Sequence, residues 1–280
     1  MIFIKALSCL PLSILYVLAD LIFFLGYYIT GYRRNLVFGN LRKAFPDKSN
    51  REIKTIARKF YRHLADIIVE TIHGLTISEK ELLKRIYVKN IEYLNQYYEN
   101  GKSVIIMSSH HSNWEWLTQI TSLQVKAEAN GVYQQLKNPF FDHLMMKIRM
   151  RFDARLIEKK AILKDLIMRK DVLKIVGMIS DQSPVIKENR FWTTFLSQET
   201  AFFTSSEKIA KKLNMGVVYA KMDKIRRGYY EVEYIPIDAP PFNPEPEYIT
   251  LRFIKLLENH INEAPAYWLW SHNRWKIERE

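Results

Sequence analysis

The longest hydrophobic segment of the chain lies at the N-terminus. Between Ala6 and Tyr32 the only charged residue is Asp20, and an apolar helix needs ~20 residues to cross a bilayer core. The basic pair Arg33–Arg34 follows several tyrosines, an order typical of a membrane interface with a cytoplasmic flank. A buried core helix and a cleaved signal peptide are the alternatives, although the apolar stretch is long for a signal peptide. We expect residues 1–34 to form a membrane-anchoring helix that either spans the bilayer or lies in its interface.

Residues 35–100 have apolar positions at three- and four-residue intervals, which indicates amphipathic helices. The longest periodic stretch follows Asn50, which we predict as an N-cap with Glu52 and Ile53 in the first turn. The basic face of this helix could meet lipid headgroups, but solvent is the more common environment for such lysines. We expect this part to be the helical N-terminal portion of a second unit, residues 35–280.

After Gly101 the pattern changes to short apolar runs rich in β-branched residues, separated by helical stretches. The predicted strands are Ser103–Met107, Gly131–Gln134, Lys174–Ile179, Gly216–Ala220 and Tyr229–Ile237. The predicted helices are Asn113–Leu123, Phe140–Arg151, Ala161–Arg169, Ser205–Leu213 and Glu247–Ile261. This alternation predicts that residues 101–280 form an α/β fold with a mixed, partly parallel sheet flanked by helices.

Composition narrows the possible partners. The 42 basic and 30 acidic residues give a net charge of +12, which attracts polyanions such as anionic lipid, phosphorylated substrates or nucleic acid. The sequence lacks the interleaved basic and aromatic pattern of an RNA-binding sheet, so we expect no nucleic-acid partner. The single cysteine, Cys9, excludes a disulfide framework and a cysteine-rich zinc module.

The candidate chemistry lies directly after the first predicted strand of the α/β part. The chain there passes through His110 to Glu115, and the loop between a buried strand and a helix is where α/β proteins place reactive groups. A carboxylate five residues after a histidine can reach its imidazole across such a turn, fix its tautomer and stabilise the imidazolium. The bare spacing is weak, since seven histidines and 30 acids give about one match by chance. A buried structural histidine and a metal ligand are the alternatives, and no ligand cluster in the sequence supports a metal.

The segment from His110 to Glu115 resembles the HxxNWE form of the H-x4-D/E motif of glycerolipid-type acyltransferases. Nearly the whole chain resembles the bacterial lipid A late acyltransferases, the lauroyl/myristoyl acyltransferase family. Six further pieces match in the family's order: NLxxAFP at 40–46, YRPLKNP at 133–139, RxRFG at 149–153, DQ at 181–182, the FFGxPAxT segment at 192–210 and PxxWxWxHxRWK at 265–276. Three positions depart from the pattern. Gln134 replaces a common arginine, while Asp153 and Ser197 stand where glycine is usual.

The resemblance implies a membrane-associated acyltransferase that moves a fatty acyl chain from a thioester, acyl carrier protein (acyl-ACP) or acyl-CoA, to a hydroxyl of a lipid A precursor. It implies that His110 is the general base and that Glu115 is its partner. The implied substrate-binding residues, which include candidate oxyanion donors, are Asn113, Lys137, Asn138, Arg149, Arg151, Asp181 and Gln182.

The same resemblance implies no metal and no cofactor beyond the thioester co-substrate. The implied partners are the carrier or coenzyme A thioester, the lipid acceptor and the membrane. The implied location is the bacterial inner membrane, with the catalytic part on the cytoplasmic face. A lysophospholipid or aminolipid O-acyltransferase is the alternative enzyme, and a membrane-anchored scaffold without activity, which would not need the His–Glu pair, is the alternative from another class.

Overall fold

The computed structural model of the protein describes residues 1–184 and 190–279. Within this part the main sheet has seven strands in the order β1-β9-β8-β2-β5-β3-β4, and a separate antiparallel hairpin pairs β6 with β7. Every pairing in the main sheet is parallel except that of β8 with β9. The strands are Ile86–Val88 (β1), Val104–Ser108 (β2), Glu128–Tyr133 (β3), Arg155–Glu158 (β4), Lys174–Ile179 (β5), Arg190–Phe195 (β6), Gln198–Phe203 (β7), Gly216–Arg226 (β8) and Tyr229–Asp238 (β9). The predicted α/β fold with a partly parallel sheet is therefore confirmed.

The helices surround this sheet and precede it. They are Ile2–Ser8 (α1), Leu12–Phe24 (α2), Arg34–Ala44 (α3), Asn50–His73 (α4), Glu79–Arg85 (α5), Ile91–Glu99 (α6), Trp114–Gln124 (α7), Pro139–Arg149 (α8), Ile162–Met168 (α9), Ser205–Leu213 (α10) and Tyr248–Glu263 (α11). A π-helical turn, Leu25–Ile29, extends α2. The predicted N-cap at Asn50 is wrong by one residue. Ser49 caps α4, because its hydroxyl and the carboxylate of Glu52 form the reciprocal bonds of a capping box.

Strand β2 lies at the centre of the main sheet, and all of its residues are buried. A strand covered on both faces needs a continuous apolar run, which is the pattern that predicted it. The N-terminal helices belong to the same hydrophobic core, since Leu15, Ala19 and Phe23 of α2 are buried with residues of α4 and of the sheet. The division of the chain near residue 34 stays a prediction.

Two departures from the family pattern lie at unusual backbone positions. Asp153 has φ +61° and Ser197 has φ +60°, in the left-handed region that glycine enters freely and that costs other residues roughly 1–2 kcal/mol. The glycine usual at each position therefore suits the backbone conformation. The turn through Phe152 and Asp153 also explains why α8 ends at Arg149 and not at the predicted Arg151.

Candidate active site

The candidate site lies where two adjacent parallel strands end. Ser108, the last residue of β2, pairs in register with Ile179, the last residue of β5. The backbone N–H of Ser180 continues the pairing by donating to the carbonyl of Ser108 over 2.9 Å. His110 lies two residues after the end of β2 and Asp181 two residues after the end of β5, so the two side chains meet at the carboxyl edge of the sheet, where ligands of α/β folds bind.

His110 is held by the carboxylate of Asp181. The imidazole Nδ1 lies 2.7 Å from Oδ1, and the backbone N–H of His110 donates to Oδ2 over 2.8 Å. A carboxylate accepts hydrogen bonds, so it selects the tautomer in which Nδ1 carries the proton and Nε2 carries a lone pair. This is the arrangement that a general base needs.

Asp181 is itself 2% exposed. Burial alone would raise the pKa of its carboxyl group, but the charge and hydrogen bonds of His110 and the indole N–H of Trp268, which donates to Oδ2 over 2.8 Å, outweigh burial and hold the pKa below its usual value. The carboxylate is therefore ionised at neutral pH and can stabilise a positive charge on the imidazole.

The other imidazole nitrogen of His110 faces the amide of Gln182. The two nitrogens lie 3.3 Å apart, so the amide N–H donates to the Nε2 lone pair in the tautomer that Asp181 selects. The ring also contacts Trp114 edge-on, with centroids 5.3 Å apart. Asp181 and Gln182 were both predicted from sequence as substrate-binding residues, and the structure brings both to His110.

Glu115 is directed away from the imidazole. Its carboxylate forms a bidentate pair with the guanidinium of Arg149, with N–O distances of 2.6 and 2.8 Å, and it accepts from the indole of Trp114. The predicted contact between His110 and Glu115 is not formed in this structure, because the first turn of α7 presents Glu115 to α8. Trp114 contacts both side chains, and a catalytic role of Glu115 stays a prediction.

Two other predicted binding residues have structural contacts. Asn113 is fully buried and caps α7, since its Oδ1 accepts from the N–H of Trp116 over 2.9 Å. Arg151 donates to the backbone carbonyls of Leu75 and Ile77 after the end of α4. Substrate contacts of Asn113 and Arg151 stay predictions, and these bonds give both residues a role in holding the backbone near the site.

Lys137 and Asn138 lie at the N-terminal end of α8. Asn138 caps this helix, and Lys137 lines a groove of about 440 Å³ together with Asp142 and His143. The opposite end of the same helix carries Arg149. The groove and the Glu115–Arg149 pair are therefore joined by a single rigid helix.

Two of the matching motifs, at 40–46 and 265–276, contact each other, which the sequence analysis did not predict. The side-chain amide of Asn40, in the 40–46 motif, donates to the carbonyls of Trp270 and His272 over 2.9 Å each. The same C-terminal segment forms a bridge to His111 and supplies the indole of Trp268 to Asp181. The first and last motifs thus act together to hold the partner of His110.

Comparison with known proteins agrees with the resemblance seen in the sequence. Residues 1–277 match the family model described as bacterial lipid A biosynthesis acyltransferase. The chain is 21% identical over 250 residues to the lipid A biosynthesis lauroyltransferase of Escherichia coli strain K12, covering 89% of this chain and 80% of that protein. It is 24% identical over 240 residues to a lipid A biosynthesis acyltransferase of Haemophilus influenzae, covering 85% and 75%, and 22% identical over 253 residues to the lipid A biosynthesis palmitoleoyltransferase of E. coli K12, covering 87% and 79%.

Proposed function

Since the chain belongs to the bacterial lipid A biosynthesis acyltransferase family and is an acyltransferase with a lipid acceptor and an acyl thioester donor, we propose that it acylates a hydroxyl of a lipid A precursor with His110 as the general base. The observation that carries the proposal is the 2.7 Å contact between His110 Nδ1 and Asp181. It leaves Nε2 as the nitrogen that can accept a proton.

The proposed reaction is a direct transfer. The acceptor hydroxyl displaces Gln182 from Nε2 of His110, its oxygen attacks the thioester carbonyl, and its proton passes to Nε2. The tetrahedral intermediate collapses as the new C–O bond persists and the C–S bond breaks, and the imidazolium returns the proton to the thiolate. Asp181 stabilises the imidazolium between these two steps, and such a base typically contributes ~10²–10⁴-fold.

The oxyanion of the intermediate needs a donor. Arg149 is suited to this role, because its bonds to Glu115 use Nε and Nη2 and leave Nη1 for a developing negative charge. Burial lowers and the neighbouring Glu115 carboxylate raises the pKa of Arg149, with a net increase, so its charge is permanent. In this reading Glu115 positions Arg149, and Lys137 at the far end of α8 contacts a phosphate of the acceptor or donor.

We propose acyl-ACP as the donor, because the net charge of +12 favours an acidic carrier over the smaller acyl-CoA. The exposed lysines Lys160, Lys164 and Lys170, on and around α9, form a basic surface for such a carrier. Acyl-CoA remains the alternative co-substrate, and the proposal needs no metal and no other cofactor.

Purified protein given a lipid A precursor and acyl-ACP should produce a lipid heavier by one acyl chain, as measured by mass spectrometry. Raising the salt concentration should increase KM for acyl-ACP. The double change Lys160→Glu with Lys164→Glu should increase KM further than the matched charge change Lys80→Glu with Lys102→Glu, which lies on α5 and on the loop before β2. Acylation of a lysophospholipid or aminolipid but not of the lipid A precursor would contradict the acceptor. Salt-insensitive kinetics, or equal use of acyl-CoA, would contradict the donor.

We propose that α2 attaches the protein to the cytoplasmic face of the inner membrane by lying in the interface. The helix from Leu12 to Ile29 is long and apolar enough to cross a bilayer, with a mean hydropathy of 2.0 and 28% of it buried. One face packs on α4, whereas Val17, Leu21 and Phe24 form an exposed apolar stripe at three- and four-residue spacing. The pair of Asp20 with Arg227, 2.9 Å apart, ties the helix to the turn between β8 and β9.

Placing a charge on this stripe should therefore weaken membrane attachment. Val17 is 71% exposed, so Val17→Glu should leave the fold intact while shifting protein from the membrane pellet to the soluble fraction. The matched control is Tyr87→Glu, a substitution at a similarly exposed apolar side chain (64%) on the edge strand β1. Equal membrane binding of both variants, or unchanged binding after removal of residues 1–32, would contradict the attachment through α2.

A further inference from the structure

A buried carboxylate on α4 contacts the loop of residues 109–113 between β2 and α7, here called the His110 loop. Glu70 is fully buried, and its two oxygens accept three hydrogen bonds. Oε1 accepts from the hydroxyl of Tyr16 over 2.7 Å, and Oε2 accepts from the hydroxyl of Tyr230 over 2.6 Å and from the side-chain amide of Asn113 over 2.7 Å. Helix α2, strand β9 and the His110 loop therefore meet at one side chain.

The contact with Asn113 reaches the candidate site within a few bonds. Asn113 lies three residues after His110 and caps α7, the helix that carries Glu115 in its first turn. Its amide is oriented from both ends, since Nδ2 donates to Glu70 and Oδ1 accepts from the N–H of Trp116. The indole of Trp116 in turn donates to the backbone carbonyl of Glu70 over 2.9 Å.

The backbone between His110 and Asn113 needs such a restraint. Ser112 has φ +53°, a left-handed conformation that a non-glycine residue keeps only when its surroundings hold it. The bond from the N–H of Ser112 to the carbonyl of Tyr267 holds one side of the loop. The bond from Asn113 to Glu70 holds the other side.

We propose that Glu70 is a positioning residue that fixes the His110 loop through Asn113 and links it to the membrane-attached helix α2 through Tyr16. This inference rests on the proposed acyltransferase function, in which a misplaced base lowers the rate of the chemical step. Burial raises the pKa of Glu70, although the donors Tyr230 and Tyr16 and the nearby Lys224 oppose that effect.

The first test removes the hydrogen-bond acceptor. Glu70→Leu keeps much of the volume but leaves the amide of Asn113 without its acceptor, so kcat should fall on the order of 10²-fold while KM changes little. Glu70→Gln should stay within a few-fold of the unmodified enzyme. Its amide oxygen can accept from Asn113 and Tyr230, and its N–H can donate to the hydroxyl of Tyr16.

The matched control is His73→Asn, one turn further along α4. His73 is also buried, but its Nδ1 contacts the carbonyl of Ser8 in the N-terminal region, 2.9 Å away. This variant should lower thermal stability without lowering kcat. A loss of kcat equal to that of Glu70→Leu would show that any damage to α4 has the same effect, and it would overturn the positioning role.

A charge exchange keeps the proposal testable even where Glu70→Leu does not fold. Asn113→Asp alone removes the N–H donor and places a carboxylate oxygen 2.7 Å from Oε2 of Glu70, so kcat should fall, most strongly at the high pH where the two oxygens do not share a proton. Combining it with Glu70→Gln restores a donor–acceptor pair, because the new amide donates to the new carboxylate. The double variant should therefore have a kcat at least tenfold higher than that of Asn113→Asp alone. Full activity of Asn113→Asp alone at such a pH, or no recovery in the double variant, would overturn the proposal.

A readout without catalysis separates this inference from the proposed function. Amide hydrogen exchange of the segment 109–117 should be faster in Glu70→Leu and Asn113→Asp, normal in His73→Asn and restored in the double variant. Unchanged exchange in that segment would overturn the positioning role. If the variants show this exchange pattern but the unmodified protein transfers no acyl group, the proposed function is contradicted and the restraint on the loop is still supported.

Discussion

Replacing His110 by alanine should lower kcat for acyl transfer on the order of 10²–10⁴-fold, with little change in KM. In the proposed mechanism the substitution removes the nitrogen that takes the hydroxyl proton, but it leaves the groove and the Arg149 side chain in place. Steady-state kinetics with saturating thioester and varied lipid acceptor measure both constants. The folded state should persist, because the ring of His110 lies at the site surface with one edge against Trp114.

The neighbouring histidine is the internal control for that result. His111 is buried, lies against the tilted ring of His260 with centroids 3.7 Å apart and contacts the carbonyl of Ala264 through Nε2, 3.1 Å away. Burial and the neighbouring His260 hold the pKa of His111 well below its usual value, so the ring is neutral, and both of its nitrogens contact groups of the protein itself. His111→Gln should therefore keep most of kcat and lower the free energy of unfolding by about 1–3 kcal/mol.

The opposite pattern would identify a different base. If His111→Gln is inactive and His110→Ala is active, then His111, and not His110, is the general base. Full activity of both variants would contradict acyl transfer by a histidine base altogether.

The regular elements of this fold could be predicted because their patterns are local. The limits of β5 and α10 agree with the sequence prediction at both ends, Lys174–Ile179 and Ser205–Leu213. Both elements are short, strongly patterned and bounded by polar or turn residues. The hairpin of β6 and β7 was missed, because its turn runs through Leu196 and Ser197 at positive φ without the Asn-Gly or Gly signal that marks most tight hairpins.

The partner of His110 could not be predicted in the same way. The H-x4-E spacing is visible in the sequence, whereas Asp181 lies 71 residues away and becomes a neighbour only because β5 pairs with β2. Strand order is a property of the whole sheet, and the sequence does not state it. The signal in the sequence was that both residues lie within three positions of the end of a predicted strand, since the carboxyl ends of parallel neighbours share one edge.

A comparison of the two carboxylates decides which one orients the base. Three donors bind the Asp181 carboxylate: the backbone N–H of His110, the indole N–H of Trp268 and the proton on Nδ1 of His110. The amide of Asp181→Asn has a single oxygen and cannot accept from all three. If its oxygen keeps the two N–H donors, its NH₂ group faces Nδ1, and the proton moves to Nε2, where the base needs a lone pair. We expect kcat to fall on the order of 10³–10⁴-fold, the scale on which a wrong tautomer acts in other histidine–aspartate pairs.

Glu115→Gln should have the smaller effect, because the amide oxygen still accepts one bond from Arg149.

The double variants are the sharper measurement. Asp181 and His110 act as one unit in the structure, so adding Asp181→Asn to His110→Ala should lower kcat little further. Glu115 contacts Arg149 and not the imidazole, so Glu115→Gln should lower the residual kcat of His110→Ala by the same factor as in the unmodified enzyme. The opposite result would be that Glu115→Gln does not lower kcat further in His110→Ala, whereas Asp181→Asn lowers it by its full factor. The H-x4-E pairing predicted from the sequence would then operate during catalysis.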